Sequence, residues 1–290
     1  MNRLNGHANG HANGNGKPRV EDKQDVPPGG RQIHDELVMY TLPNGHFYLH
    51  LPTRTWLKGF TRIIGNLPPE EPLLKWIANQ GSYEAYQEAL QKAGRRGTAV
   101  HRGIEDLLKC QKLKANEFDR EVWEHLQSFV NWFNDYQPET HAVEEPVWDI
   151  RRKIASKIDW RGMVSPPVQK NIKNVQERVA EKVHAIIDFK SASGIWESAW
   201  YQTSEYAWTY NDQKRFDELG PVKAFAVVRT GTSHRRGYDY QFVDAVADAE
   251  QHEYRHKVFN CLLWIEHSRD KDWTPKFPKP APKELQLPTD

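Results

Sequence analysis

Cysteine is nearly absent: Cys110 and Cys261 are the only two, far apart in the 290-residue chain. Two thiols supply neither a disulfide framework nor the four thiolates of a typical iron–sulfur or zinc site, and they fit a reducing compartment. Long apolar runs are missing too. Nothing approaches the roughly 18–20 residues needed to span a bilayer, and the N-terminus has no apolar stretch of the kind a secretory signal carries. A soluble, cytoplasmic protein is expected. There is also no excess of one charge: 40 Lys and Arg face 39 Asp and Glu, a net charge of +1, so any phosphate-binding face must come from local clustering.

Of what is present, 38% hydrophobic residues with eleven tryptophans can fill a sizeable core, while a mean hydropathy of -0.82 leaves much of the chain solvated. Residues 1–32, with the Gly/Asn-rich run HANGHANGNG, form a tail with little to bury. The Pro/Lys-rich residues 273–290 form a second tail. Between them, 33–272 read as one domain.

That domain opens with a hairpin, LVMYTL and HFYLHL around Pro43-Asn44-Gly45. Helices are expected over 70–93, 95–110 and 117–137, the last marked by Phe118, Val122, Leu126, Phe129, Phe133 and Tyr136 at steps of three and four. Strands follow at 142–151, 153–164 and 182–190, with a polar loop at 165–181. A helix at 195–217, strands at 222–229 and 237–243 and a helix at 246–267 complete the chain. This order predicts an α/β fold, a central mixed sheet flanked by helices, with an N-terminal helical section.

The chemistry concentrates at two strand ends. In VHAIIDFK (183–190), alternation puts Asp188 and Lys190 on one face, with Ile187 and Phe189 turned into packing. In KIASKIDW (153–160), Asp159 ends a second apolar strand, with Ile154, Ile158 and Trp160 expected on the opposite face. Two strands that each deliver an Asp to one sheet edge make a hard-oxygen pocket for Mg²⁺ or Mn²⁺. A lysine beside it can orient a water or stabilise charge on a phosphate.

Asp159 followed by Asp188-Phe189-Lys190 resembles the D…(D/E)xK signature of PD-(D/E)xK nucleases. Two flanking motifs resemble the RecB-like exonuclease branch, including its phage members. One is GTAVHRGIE (97–105), like the His-bearing helix of that branch. The other is Gln202-Thr203-Ser204-Glu205-Tyr206, like its Q-x-x-x-Y element. The resemblance covers roughly residues 35–265. It departs at Ser156, where the family usually has Gly, and no iron–sulfur cluster is expected here, unlike in the CRISPR-associated members that carry four cysteines.

The resemblance implies a restriction-endonuclease-like core and a metal-dependent nuclease, an exonuclease on linear DNA in recombination, repair or phage genome processing, with a recombination or replication protein as a further partner. A non-catalytic DNA-binding scaffold on the same fold is the alternative. By the same resemblance His101, Asp159, Asp188 and the Phe189 carbonyl ligate the metal, Lys190 positions the attacking water, and Gln202 and Tyr206 hold the DNA strand or orient Lys190. Glu145, at the start of the strand before Asp159, is a further candidate acid, and Glu105, one turn beyond His101, could support it. Arg95, Arg96, Arg102, Arg235 and Arg236 are candidate phosphate contacts, and Trp196, Trp200 and Tyr201 candidate stacking surfaces.

Overall fold

The computed structural model describes residues 27–42, 45–167, 181–214, 216–269 and 274–277. Both expected tails lie mostly outside these, as do the turn residues Pro43 and Asn44 and most of the 165–181 loop. The first strand, β1 (Arg31–His34), begins inside the expected N-terminal tail. Strands β2 (Leu37–Leu42) and β3 (Gly45–His50) form the expected hairpin, with Leu42 opposite Gly45. From the C-terminal tail, Phe277 packs edge-on against Tyr40, at 5.2 Å between ring centroids.

Strand β4 (Thr55–Gly59) and the short helix α1 (Phe60–Ile64) follow. Neither is legible in the sequence, because β4 turns a charged residue inward. Lys58 is 1% exposed and paired with Glu266.

Helices α2 (Glu71–Ala78) and α3 (Tyr83–Leu108) replace the expected pair at 70–93 and 95–110. The break falls at residues 79–82, where Gly81 takes φ +78° and the Ser82 hydroxyl accepts from the Ala85 amide as an N-cap. Gly94 and Gly97 therefore sit inside one helix. Helix α4 (Arg120–Tyr136) crosses α3 at Gly103, where an added Cβ would meet Leu126 at 2.7 Å. That close approach sets the distance of α3 from the sheet side of α4.

Strands β5 (Glu139–Asp149), β6 (Ile154–Val164) and β7 (Val183–Lys190), helix α5 (Glu197–Gln213), strands β8 (Ala224–Thr230) and β9 (Tyr238–Asp244), and helix α6 (Ala249–Arg269) lie within a few residues of expectation. The nine strands of the described residues join one sheet in the order β1-β2-β3-β4-β6-β7-β8-β9, with β5 paired to β6. The β4–β6 and β7–β8 pairs are parallel and the rest antiparallel. The fold is thus α/β, a central mixed sheet flanked by helices. Residues of α1, α5 and α6 pack with Ile154, Ile158, Ile186 and Phe225 on one face. Residues of α3 and α4 pack with Trp160, Ile187, Phe189 and Val228 on the other.

One irregularity positions everything that follows. Strand β5 occupies one edge of β6 along its length. On the other edge, β4 pairs only with Ile154 and Ala155, and β7 only from Trp160 to Val164. Residues 156–159 have no strand partner on that edge among the described residues. Ile158 and Trp160 also fall in opposite cores, although strict alternation puts them on one face. The expectation that Ile154, Ile158 and Trp160 share a face therefore fails at Trp160, because the strand's alternation is interrupted at Asp159.

Candidate metal centre

The β6–β7 ladder ends at Trp160 opposite Ile187. Continuing that register would set Asp159 against Asp188, but the strands splay there. The Asp159 carboxylate takes a role a ladder carbonyl would otherwise play, its Oδ2 accepting the Phe189 amide at 2.9 Å. The split opens between the two helical layers. His101 arrives on α3 from one side, its Nδ1 3.4 Å from Asp159 Oδ2. Gln202 and Tyr206 arrive on α5 from the other.

A third group completes the cluster. The side chains of His101, Glu144 and Asp159 each offer a ligand atom within 4.8 Å of the others, and all three are half-buried. Glu144 and Asp159 are opposite in the β5–β6 register, between the pairs Val143–Trp160 and Glu145–Ile158. Glu144 takes φ +56°, a left-handed conformation that costs a non-glycine residue roughly 1–2 kcal/mol. Its carboxylate is ion-paired with Lys157. Burial and the nearby charge of Arg31 lower the Lys157 pKa.

Glu145, the acid expected at this place, is elsewhere. It forms a two-pronged pair with Arg161 at 2.5 and 3.0 Å, and Arg161 also binds Asp217 at 2.9 Å. The two glutamates are neighbours, so alternation sends them to opposite sides, and the sequence alone does not say which faces Asp159. The cross-strand register does.

Asp188 is 1% exposed. Its Oδ1 has no hydrogen-bond partner among the described residues, and its Oδ2 faces the Lys190 ammonium at 2.8 Å. Burial pushes its carboxyl up to about 6, with Lys190 pulling it down and the charge of Asp159 adding to the rise. For Lys190, burial works against the charge, but Asp188 and Asp159 outweigh it and hold the pKa above the ordinary lysine value. The Lys190 ammonium also donates to Gln202 Oε1 at 3.1 Å, and Gln202 Nε2 donates to the Tyr206 hydroxyl. Ser156 donates to the same hydroxyl at 3.3 Å.

Of the two expected roles for Gln202 and Tyr206, this geometry supports orienting Lys190. Tyr206 is 2% exposed and out of reach of a polymer. Burial, reinforced by the charges of Asp188 and Asp159, holds its pKa well above the ordinary value, so it stays a neutral phenol.

The His101, Glu144 and Asp159 side chains form a donor set suited to a hard divalent cation such as Mg²⁺ or Mn²⁺, and Asp188, outside that set, is near enough to feel the charges of Asp159 and His101. A buried carboxylate lacking hydrogen bonds is costly unless something else satisfies it.

The other expected contacts divide. Arg96 is held by Glu121 and by the Ser191 carbonyl at 3.3 Å, and Arg236 by Asp135. Both are occupied as struts. Glu105 pairs with Lys109. Tyr201 is buried, and Trp200 is half-buried against Phe225, with Arg255 over its ring, so neither offers an open stacking face. Trp196 is half-buried. Arg95, Arg102 and Arg235 stay exposed, Arg95 and Arg102 on α3 close to His101. No helix among the described residues is long and apolar enough to cross a membrane.

The chain matches no family model, and none of the curated proteins matches it.

Proposed function

We propose that this protein is a divalent-metal-dependent deoxyribonuclease with a restriction-endonuclease-like core, an exonuclease of the RecB-like kind acting on linear DNA in recombination, repair or phage genome processing. The observation that carries this reading is Asp188. It is a buried carboxylate with a partnerless oxygen, at a split in the sheet beside Asp159, with a lysine fixed next to it.

Asp159, Asp188 and His101 would hold the cation, with Glu144 in place of Glu145 as the additional acid and the Phe189 carbonyl as a backbone ligand. A cation bound there supplies an acidified water and neutralises charge on the phosphodiester. Lys190, clamped between Asp188 and Gln202, keeps an ammonium donor aimed into the split, where it can orient the attacking water and offset charge building on the phosphoryl oxygens. Gln202 bridges that ammonium to Tyr206, and Ser156 anchors Tyr206 to β6, so the lysine is fixed by a chain of hydrogen bonds reaching across the sheet.

Purified protein with Mg²⁺ or Mn²⁺ should degrade linear DNA and spare covalently closed circles. Asp188→Ala and Lys190→Ala should each lower the rate on the order of 10³-fold with the circular dichroism of the wild type. Variants as active as the wild type would remove these residues from the site. A wild type that binds DNA without cutting it would instead make the protein a binding module on a nuclease-like fold.

A further inference from the structure

Beside the metal centre, on the next face of α3, lies an open groove of about 860 Å³. One wall is a single helical stripe, Arg95, Thr98 and Arg102, spaced three and four residues apart. The facing wall is the connection from α3 to α4, which contributes Lys112, Leu113 and Phe118. His101 immediately precedes Arg102 on α3, so the groove and the candidate centre draw side chains from the same helix.

Two properties of this groove bear on what it could hold. Nearby, Arg96 is paired with Glu121, Lys109 with Glu105 and Arg120 with Glu124. Arg95, Arg102 and Lys112 form no ion pair among the described residues, although Asp106 and Glu117 also line the groove. Clustered cations left unpaired next to available carboxylates suit an external anion. The floor, in contrast, is apolar and aromatic, with Leu113 and the half-buried Phe118 facing the cavity. A duplex presents phosphates outward and keeps its base faces stacked inside, so it could use the cations but not this floor. One unpaired strand can use both, phosphates on the rim and a base against the ring. The volume is of the size of a small-molecule site, roughly 300–1,000 Å³, room for a few nucleotides of one strand.

We propose that this groove binds single-stranded DNA and leads one strand to the metal centre, with Arg95, Arg102 and Lys112 on phosphates and Phe118 under a base. The inference rests on the nuclease reading for its direction, but its test does not depend on cleavage.

Fluorescence anisotropy of a labelled oligothymidylate of about 20 nucleotides, a length that exceeds the site size of typical single-strand binders, is measured in EDTA against a blunt hairpin duplex. The wild type should prefer the single strand. Arg102→Ala combined with Lys112→Ala should weaken oligothymidylate binding about tenfold or more and flatten the logarithmic salt slope by about 1.4, two phosphate contacts' worth. Phe118→Leu, which keeps apolar bulk under the groove, should weaken it by roughly fivefold or more through lost stacking, with duplex binding unchanged.

Unaltered oligothymidylate affinity in the double variant overturns the proposal, as does an equal loss for the duplex. If the wild type fails to cut DNA yet the variants lose single-strand binding, the nuclease reading falls and the groove stands. If it cuts and the variants bind normally, the groove alone falls.

Discussion

Glu205 and Asp188 are both buried carboxylates beside α5, and their surroundings are opposite. Glu205, fully buried, has its oxygens filled: Arg152 donates at 2.5 Å, Thr209 at 3.1 Å and His256 Nδ1 lies at 2.9 Å. Arg152 in turn holds Asp149 at 2.8 Å, and Asp149 accepts the Arg151 and Arg152 amides. His256 stacks on Trp208 at 3.8 Å between ring centroids. Every charge in that cluster has its counterpart. Asp188, linked to the same helix through Lys190 and Gln202, keeps an oxygen without a hydrogen-bond partner among the described residues. Burial of charge is therefore common to a strut and to a site, and what separates them is the unsatisfied remainder. The first cluster clamps α5 to the β5–β6 turn; the second keeps an unsatisfied carboxylate oxygen, which the proposed metal would fill.

The largest effect expected from this contrast is on stability at the closed cluster. Glu205→Ala removes one of the two buried carboxylates that hold the Arg152 guanidinium, the other being Asp149, and should cost about 3 kcal/mol, read as a lower urea midpoint. Asp188→Asn should lower that midpoint far less. Equal losses would mean that both clusters are structural.

A smaller effect tests the pair of neighbouring glutamates. Glu144→Gln should weaken Mn²⁺ binding by roughly tenfold, as loss of a supporting ligand does, whereas Glu145→Gln should leave it unchanged and cost stability through Arg161. The reverse pattern would restore Glu145 to the centre.

The smallest effect is a pH dependence. The Asp188 carboxyl titrates near 6 when folded, above the ordinary 3.8 of an unfolded chain. The folded state thus holds the extra proton, so this contribution to stability is full below 3.8 and lost as pH rises through about 6. A cation bound at the proposed site would replace that proton. The rise in melting temperature caused by Mg²⁺ should therefore be several degrees at pH 8 and much smaller at pH 5, by differential scanning fluorimetry in matched ionic strength. A larger shift at pH 5 would contradict the assignment of the raised carboxyl to the metal site.

What the sequence made legible follows period. Alternation in β7 places Asp188 and Lys190 together, and a spacing of four on α5 places Gln202 beside Tyr206; the structure keeps both pairs. What it hid lies where period breaks. The left-handed turn at Glu144 and the interruption at Asp159 decide which glutamate enters the centre and send Trp160 to the other core. Lys58 in β4 conceals a strand because its buried charge is paired with Glu266, 208 residues away. Arginines were the least legible. Arg95 and Arg96 are adjacent, yet one lines a groove and the other is a strut to Glu121, a difference set by tertiary neighbours.

The most direct test of the central claim, that the open cluster at the β6–β7 split is a divalent-metal site, is calorimetric titration of Mn²⁺ into the wild type, Asp188→Asn and Glu205→Gln at pH 8. The expected result is saturable binding to the wild type and to Glu205→Gln and none to Asp188→Asn. Undiminished binding to Asp188→Asn would place the metal, and the chemistry proposed for it, somewhere else.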